Sequence, residues 1–195
     1  EMEAETLLNS LKEIQMRAAS RDLLLNLPER KKKELEFHNL HRDKSLEAQQ
    51  PEDTYEMLYG NKKYYSTVQL SREYVDQWIQ SKVPGKIFLD YACGNGDRAI
   101  QAAKAGAKLA IGLDISDVSV GNASSAAESQ NLADKCFFVQ GDCENTGLPS
   151  DSIDVILCSG MLGDLPDIKK FIVVDIAPVD KAERGRPLSR QSSEA

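Results

Sequence analysis

The sequence predicts an α/β fold: a mostly parallel sheet with helices on both faces, preceded by an α-helical N-terminal region. Three observations carry this prediction. After Pro84-Gly85, short continuous apolar runs alternate with helical segments, as in strands buried on both sides. A glycine-bearing loop, Gly94-Asn95-Gly96, separates the first such run from the next helix. Before residue 80, apolar residues recur at three- and four-residue spacing, which is helical.

Taken in order, Leu7, Leu8, Leu11 and Ile14 lay one apolar stripe along a first helix. Leu27-Pro28 breaks that segment, and Pro28 is placed to open a second helix at its first position. Leu35, Phe37 and Leu40 give a weaker stripe among many charges. Residues 43–63 are mostly polar, include Pro51 and Gly60, and read as a loop or linker. Helical spacing returns over residues 64–80 through Val68, Tyr74, Val75, Trp78 and Ile79. Residues 87–89 form the first strand, and the glycine loop leads into an alanine-rich helix over 99–105, closed by Gly106. Residues 109–113 are a second strand, and Ser116 can cap a helix running toward Gln130. Residues 137–139, 153–158 and 171–176 supply a third, fourth and fifth strand, and the polar composition of 184–195 predicts disorder. The resulting division is a helical extension and linker over 1–63, an α/β domain over 64–178, and a tail over 179–195.

The 195 residues are 41% hydrophobic and 28% charged, which suits one ordinary domain with an appendage. Net charge is −7, so the surface repels phosphate backbones and nucleic acid is not an expected partner. Arg30-Lys31-Lys32-Lys33, set between Glu29 and Glu34, is the local exception and reads as a solvated helix face. No apolar run approaches the roughly 18 residues a membrane span requires. The opening Glu1-Met2-Glu3 lacks a charged-then-apolar leader, so a cytoplasmic location is expected, with no membrane partner. Cys93, Cys136, Cys143 and Cys158 are irregularly spaced without a C-x-x-C pair and are expected as free thiols. His38 and His41 share a helix but no third ligand is specified, so no metal is expected.

The chemistry concentrates where strands end. Asp90 follows the first strand, Asp114 the second and Asp142 the third. In a doubly wound sheet the carboxyl ends of the strands line one crevice where ligands bind. Gly94 and Gly96, in the first strand-to-helix turn, let a ligand approach the backbone and the helix start that follows. Gly94-x-Gly96-x-x-Ala99 with Asp114 about twenty residues on also satisfies a dinucleotide fingerprint. A carboxylate four residues before the first glycine would face a pyrophosphate, whereas a ligand carrying an ammonium and a sulfonium would welcome it.

Leu89-Asp90-Tyr91-Ala92-Cys93-Gly94-Asn95-Gly96 resembles the first motif of class I, Rossmann-like S-adenosylmethionine-dependent methyltransferases. Ile111-Gly112-Leu113-Asp114-Ile115-Ser116 is similar to the end of their second strand. Gly141-Asp142-Cys143-Glu144, Leu148-Pro149 and residues 152–156 resemble their third and fourth strands, in the small-molecule branch. The resemblance covers residues 60–162. It implies that S-adenosyl-L-methionine is the cofactor, with Asp90 and the loop Ala92, Cys93, Gly94, Asn95 and Gly96 holding its methionine portion. It further implies Asp114 on both ribose hydroxyls, Ile115 against adenine, Asp142 on the adenine amino group and the Cys143 backbone at the ring edge. Cys158 and Ser159 would border the sulfonium.

Alignment of acceptor and donor can supply most of the acceleration in such a transfer, so no obligatory nucleophile is expected and no catalytic side chain is assigned. Cys158-Ser159-Gly160-Met161 differs from the Asn/Asp-Pro-Pro-Tyr that similar enzymes use on nucleic-acid amines, which points to a small-molecule acceptor. Tyr59, Tyr64 and Tyr65 read as packing against the domain. Beyond Leu162 the resemblance fades: only residues 159–170 separate the fourth run from the fifth, and no strand follows 176. Residues 171–179 also resemble a strand and loop of α/β-hydrolases, but no G-x-S-x-G turn is present. The expectation is a methyltransferase short in its C-terminal part, with an uncovered sheet edge that favours homo-oligomers and with turnover in question. A non-catalytic module on the same fold and a nicotinamide oxidoreductase are the alternatives.

Overall fold

The computed structural model describes residues 2–19, 26–43 and 69–159. The expected fifth strand, the tail, the tyrosines at 59, 64 and 65 and nearly all of the 43–63 loop lie outside them. In chain order the elements are α1 (Met2–Ala19), α2 (Glu29–Arg42), α3 (Gln69–Lys82), β1 (Ile87–Tyr91) and α4 (Asp97–Lys104). They continue with β2 (Leu109–Asp114), α5 (Asp117–Ser129), β3 (Cys136–Gln140) and β4 (Val155–Cys158). Pro28 stands as the N-cap of α2. Ser116 caps α5 as its sequence predicts, its Oγ accepting the Ser119 N–H at 3.0 Å. No described helix is long and apolar enough to cross a membrane.

The four strands pair in parallel in the order β3-β2-β1-β4, the α/β arrangement the alternating runs predict. Order reverses at β1: the chain steps outward from β1 to β3, then returns to place β4 on the other side of β1. That reversal is where an open α/β sheet forms a crevice.

Alternation along each strand sends neighbouring side chains to opposite faces. Phe88, Ala110 and Phe138 meet Ile79, Ala99, Ala103 and Ala123, so α3, α4 and α5 cover one face. Gly112 belongs to this face because a Cβ there would lie 2.5 Å from Phe138 Cδ1, so the ring crosses the glycine. Leu89, Tyr91, Ile111, Leu113 and Val139 point the other way, onto Leu7, Leu11 and Ile14 of α1 and onto Leu148 and Ile153.

This second layer departs from the division drawn at residue 63. After the reversal, the β3–β4 crossover passes over the second face, and residues 141–154 contain no helix. The face still needs an apolar cover, and α1 provides it with Leu7 and Leu11 fully buried. α1 is thus part of the sheet domain's core rather than an appendage.

Candidate functional site

β1 delivers Asp90 to the rim, and the chain then turns through three left-handed residues, Ala92 (φ 52°), Gly94 (φ 55°) and Gly96 (φ 83°), into α4. Gly96 is required by packing as well as by its dihedral: a Cβ would lie 2.7 Å from both Ala123 Cβ and Phe138 Cε1. At Gly94 a Cβ would lie 2.5 Å from Nη1 of Arg42, a side chain of α2. The loop is fastened to β2 by the Cys93 N–H, which donates to Leu113 O at 3.1 Å. The Gly94 N–H donates to Asp114 Oδ2 at 2.8 Å.

Asp114 therefore builds the rim as well as facing it. Its Oδ1 accepts the Ser116 N–H at 2.9 Å, so one carboxylate ties the first loop to the second. A carboxylate offers about four lone-pair sites, and two backbone donors leave room for further donors. Asp142, two residues beyond β3, accepts the Glu144 N–H at 2.9 Å. Lys31 Nζ stands 2.6 Å from both Asp142 oxygens and 3.3 Å from Glu144 Oε2, and Arg30 donates to Glu144 Oε1 at 2.9 Å.

That contact corrects the reading of Arg30-Lys31-Lys32-Lys33 as a solvated face at Lys31, while Arg30 and Lys33 are exposed as expected. Lys31 is only 6% exposed. The run's alternation with Glu29 and Glu34 looks like a water-facing helix, but the acids that matter are over a hundred residues away.

Asp90, Asp114 and Asp142 share one rim, because Tyr91 pairs with Leu113 and Asp114 with Gln140 in parallel register. Asp90 is buried, and burial raises its carboxyl to about 7; the charges of Asp114 and Asp97 add to the rise, while Arg98 and a backbone hydrogen bond at Ala99 oppose it. Burial likewise raises the Cys93 and Cys143 thiols. Burial, aided by the Arg42 charge, lowers His38. All four cysteines are free thiols.

Two of the cavities along this rim gather the acidic residues and the glycine loop, while a third, about 250 Å³, lies between Asp142 and the end of α1. One of about 340 Å³ is walled by Ala92, Asp114, Ile115, Asp142 and Cys143, with α2 as its roof. The other, about 790 Å³, is walled by Asp90, Ala92, Cys93, Gly94, Asn95 and Ser159, with α3 and α4 opposite. Ten of the twelve residues singled out from the sequence line one or both. Gly96 and Cys158 do not: Gly96 serves the packing of α4, and Cys158 pairs with Tyr91 within the sheet. Sequence reasoning missed the roof, namely Lys31, His38 and Arg42, and the far wall, where Arg98 and Gln101 of α4 both donate to Asp76 of α3. Only the basic run gave a local signal for any of these.

Comparison with known proteins places the site in a family. A model described as "Methyltransferase domain" matches residues 82–184, just over half of the chain and past the point where the motif resemblance fades. Ribosomal protein L11 methyltransferase of Burkholderia thailandensis is 29% identical over 130 residues, covering 67% of this chain and 40% of that protein. The protein of the same name from Actinobacillus pleuropneumoniae is 33% identical over 105 residues, covering 52% of this chain and 34% of its own. The chain thus spans well under half the length of these relatives. Among solved structures, YcgJ from Bacillus subtilis shares 26% identity at a TM-score of 0.45, covering 49% of this chain and 41% of that one. A SAM-dependent methyltransferase from Thiobacillus denitrificans in complex with S-adenosyl-L-homocysteine shares 24% at 0.38, covering 42% and 33%. With its parallel sheet, glycine loop and acidic rim, the chain belongs to the class I, Rossmann-like family of S-adenosylmethionine-dependent methyltransferase domains.

Proposed function

We propose that this chain binds S-adenosylmethionine along the rim and transfers its methyl group to an acceptor held beside Asp90 and Ser159. The alignment of Asp90, Asp114 and Asp142 at neighbouring parallel strand tips carries the reading. In it, Asp142 takes the adenine amino group, the Cys143 backbone meets the ring edge and Ile115 packs on the ring. Asp114 accepts the ribose hydroxyls with the lone pairs its two backbone donors leave. Asp90 and the loop from Ala92 to Asn95 hold the methionine portion, while Ser159 borders the sulfonium. Burial raises Asp90 to about 7 although Arg98 opposes the rise, so the donor's ammonium would add the further positive charge that favours its carboxylate. The sulfonium is already a strong electrophile, so the protein's task is to align donor and acceptor and exclude water.

For the acceptor we favour a small polar molecule, since the 790 Å³ cavity presents Arg72, Asp76, Asp97 and Arg98 around the expected methyl position. A protein acceptor is the second reading, favoured by the name of the Burkholderia relative. Labelled methyl transfer to a metabolite panel and to protein substrates separates the two.

Calorimetry tests the site. S-adenosylhomocysteine is expected to bind where NAD does not, and Asp114→Ala to weaken binding on the order of 10- to 100-fold, from hydrogen bonds to a charged group at about 1.5–3 kcal/mol each. Unchanged affinity in that variant removes Asp114 from the site.

A further inference from the structure

Lys31, Leu35, His38 and Arg42 recur at four-, three- and four-residue steps and so share one face of α2, the face laid over the rim. Lys31 takes both oxygens of Asp142. Arg42 rests on Gly94, with Nη1 3.7 Å from Asp114 Oδ2, and donates to Ser119 Oγ at 3.1 Å. Asn39 donates to Asp117 and accepts from Ser116, and Asn122 donates to the Arg42 carbonyl.

This attachment is almost wholly polar. Leu35 is the one buried apolar side chain of α2, while Phe37 and Leu40 are more than half exposed. An element held by ion pairs and hydrogen bonds, with little apolar burial, lies at the easily opened end of a protein's local stabilities. Arg42 and Ala92 border both cavities, so the Arg42 guanidinium lies where the two meet.

Resting on the cofactor reading above, we propose that α2 is an electrostatic latch. Lys31 and Arg42 neutralise the rim carboxylates, and S-adenosylmethionine binds by displacing Arg42 from its place over Gly94 and beside Asp114. The closed latch lowers apparent affinity in proportion to the fraction of chains it holds shut.

The test titrates S-adenosylhomocysteine into the 195-residue wild-type chain, Arg42→Ala and Lys31→Met by calorimetry, with a melting curve for each to verify folding. Arg42→Ala is expected to bind about tenfold more tightly and Lys31→Met several-fold. The gap between wild type and Arg42→Ala narrows as salt rises, because screening weakens the Arg42–Asp114 pair that only the wild type must break. Equal or weaker binding by Arg42→Ala overturns the latch while leaving the cofactor reading intact. Absence of binding in all three chains overturns both. If Arg42→Ala does not fold, Lys31→Met decides: tighter binding supports the latch, and unchanged or weaker binding overturns it.

Discussion

Asp90→Asn removes a buried charge while keeping the side chain's shape, and its effect on stability can be worked from the structure. The carboxyl rises from the ordinary 3.8 to about 7 in the folded chain, chiefly through burial. Between those values the folded chain holds a proton that the unfolded chain has lost, so stability falls as pH rises. Three units at 1.36 kcal/mol each place the full cost at about 4 kcal/mol once pH exceeds 7, and none of it below 3.8. Urea unfolding of the ligand-free wild type and variant at about pH 5 and about pH 8 reads the slope; the wild type is expected to lose about 3 kcal/mol relative to Asp90→Asn between them. Saturating S-adenosylhomocysteine flattens the wild-type slope if its ammonium sits beside Asp90. A difference between the two chains that does not change with pH refutes the reasoning, because Asp90 would then be charged at no cost.

Two further substitutions test the packing. Leu11→Ala empties a fully buried position between α1 and the sheet and is expected to cost about 2–5 kcal/mol in urea unfolding; an unchanged midpoint would detach α1 from the core. Gly96→Ala places a methyl against Ala123 and Phe138 at a φ of 83° and is expected to cost about 2 kcal/mol or more, so a wild-type melting temperature would contradict the close approach of α4.

Features made by neighbours in sequence were legible in it. Short continuous apolar runs marked the strands, Ser116 announced its own cap, and the three aspartates fell in phase with strand ends. What stayed hidden was non-local. The stripe of Leu7, Leu11 and Ile14 declares that α1 buries a face but not against what, and only the helix-free crossover 141–154 leaves that place open. Lys31 is harder still, because a buried lysine and a solvated one are identical letters until Asp142 is brought beside it. Asp114 was legible as a rim acid, whereas its bonds to Gly94 and Ser116 depend on loop dihedrals that no spacing encodes.

The placement of α1 also constrains how the molecule is made. Its leucines are made well before their partners: the surface they cover includes Val139, Leu148 and Ile153, synthesised more than a hundred residues later. The helix must wait, apolar stripe bare, until β3 emerges, and contacts of such long sequence separation are slow to close. The time that stripe spends uncovered is therefore set by translation of the stretch between α1 and β4.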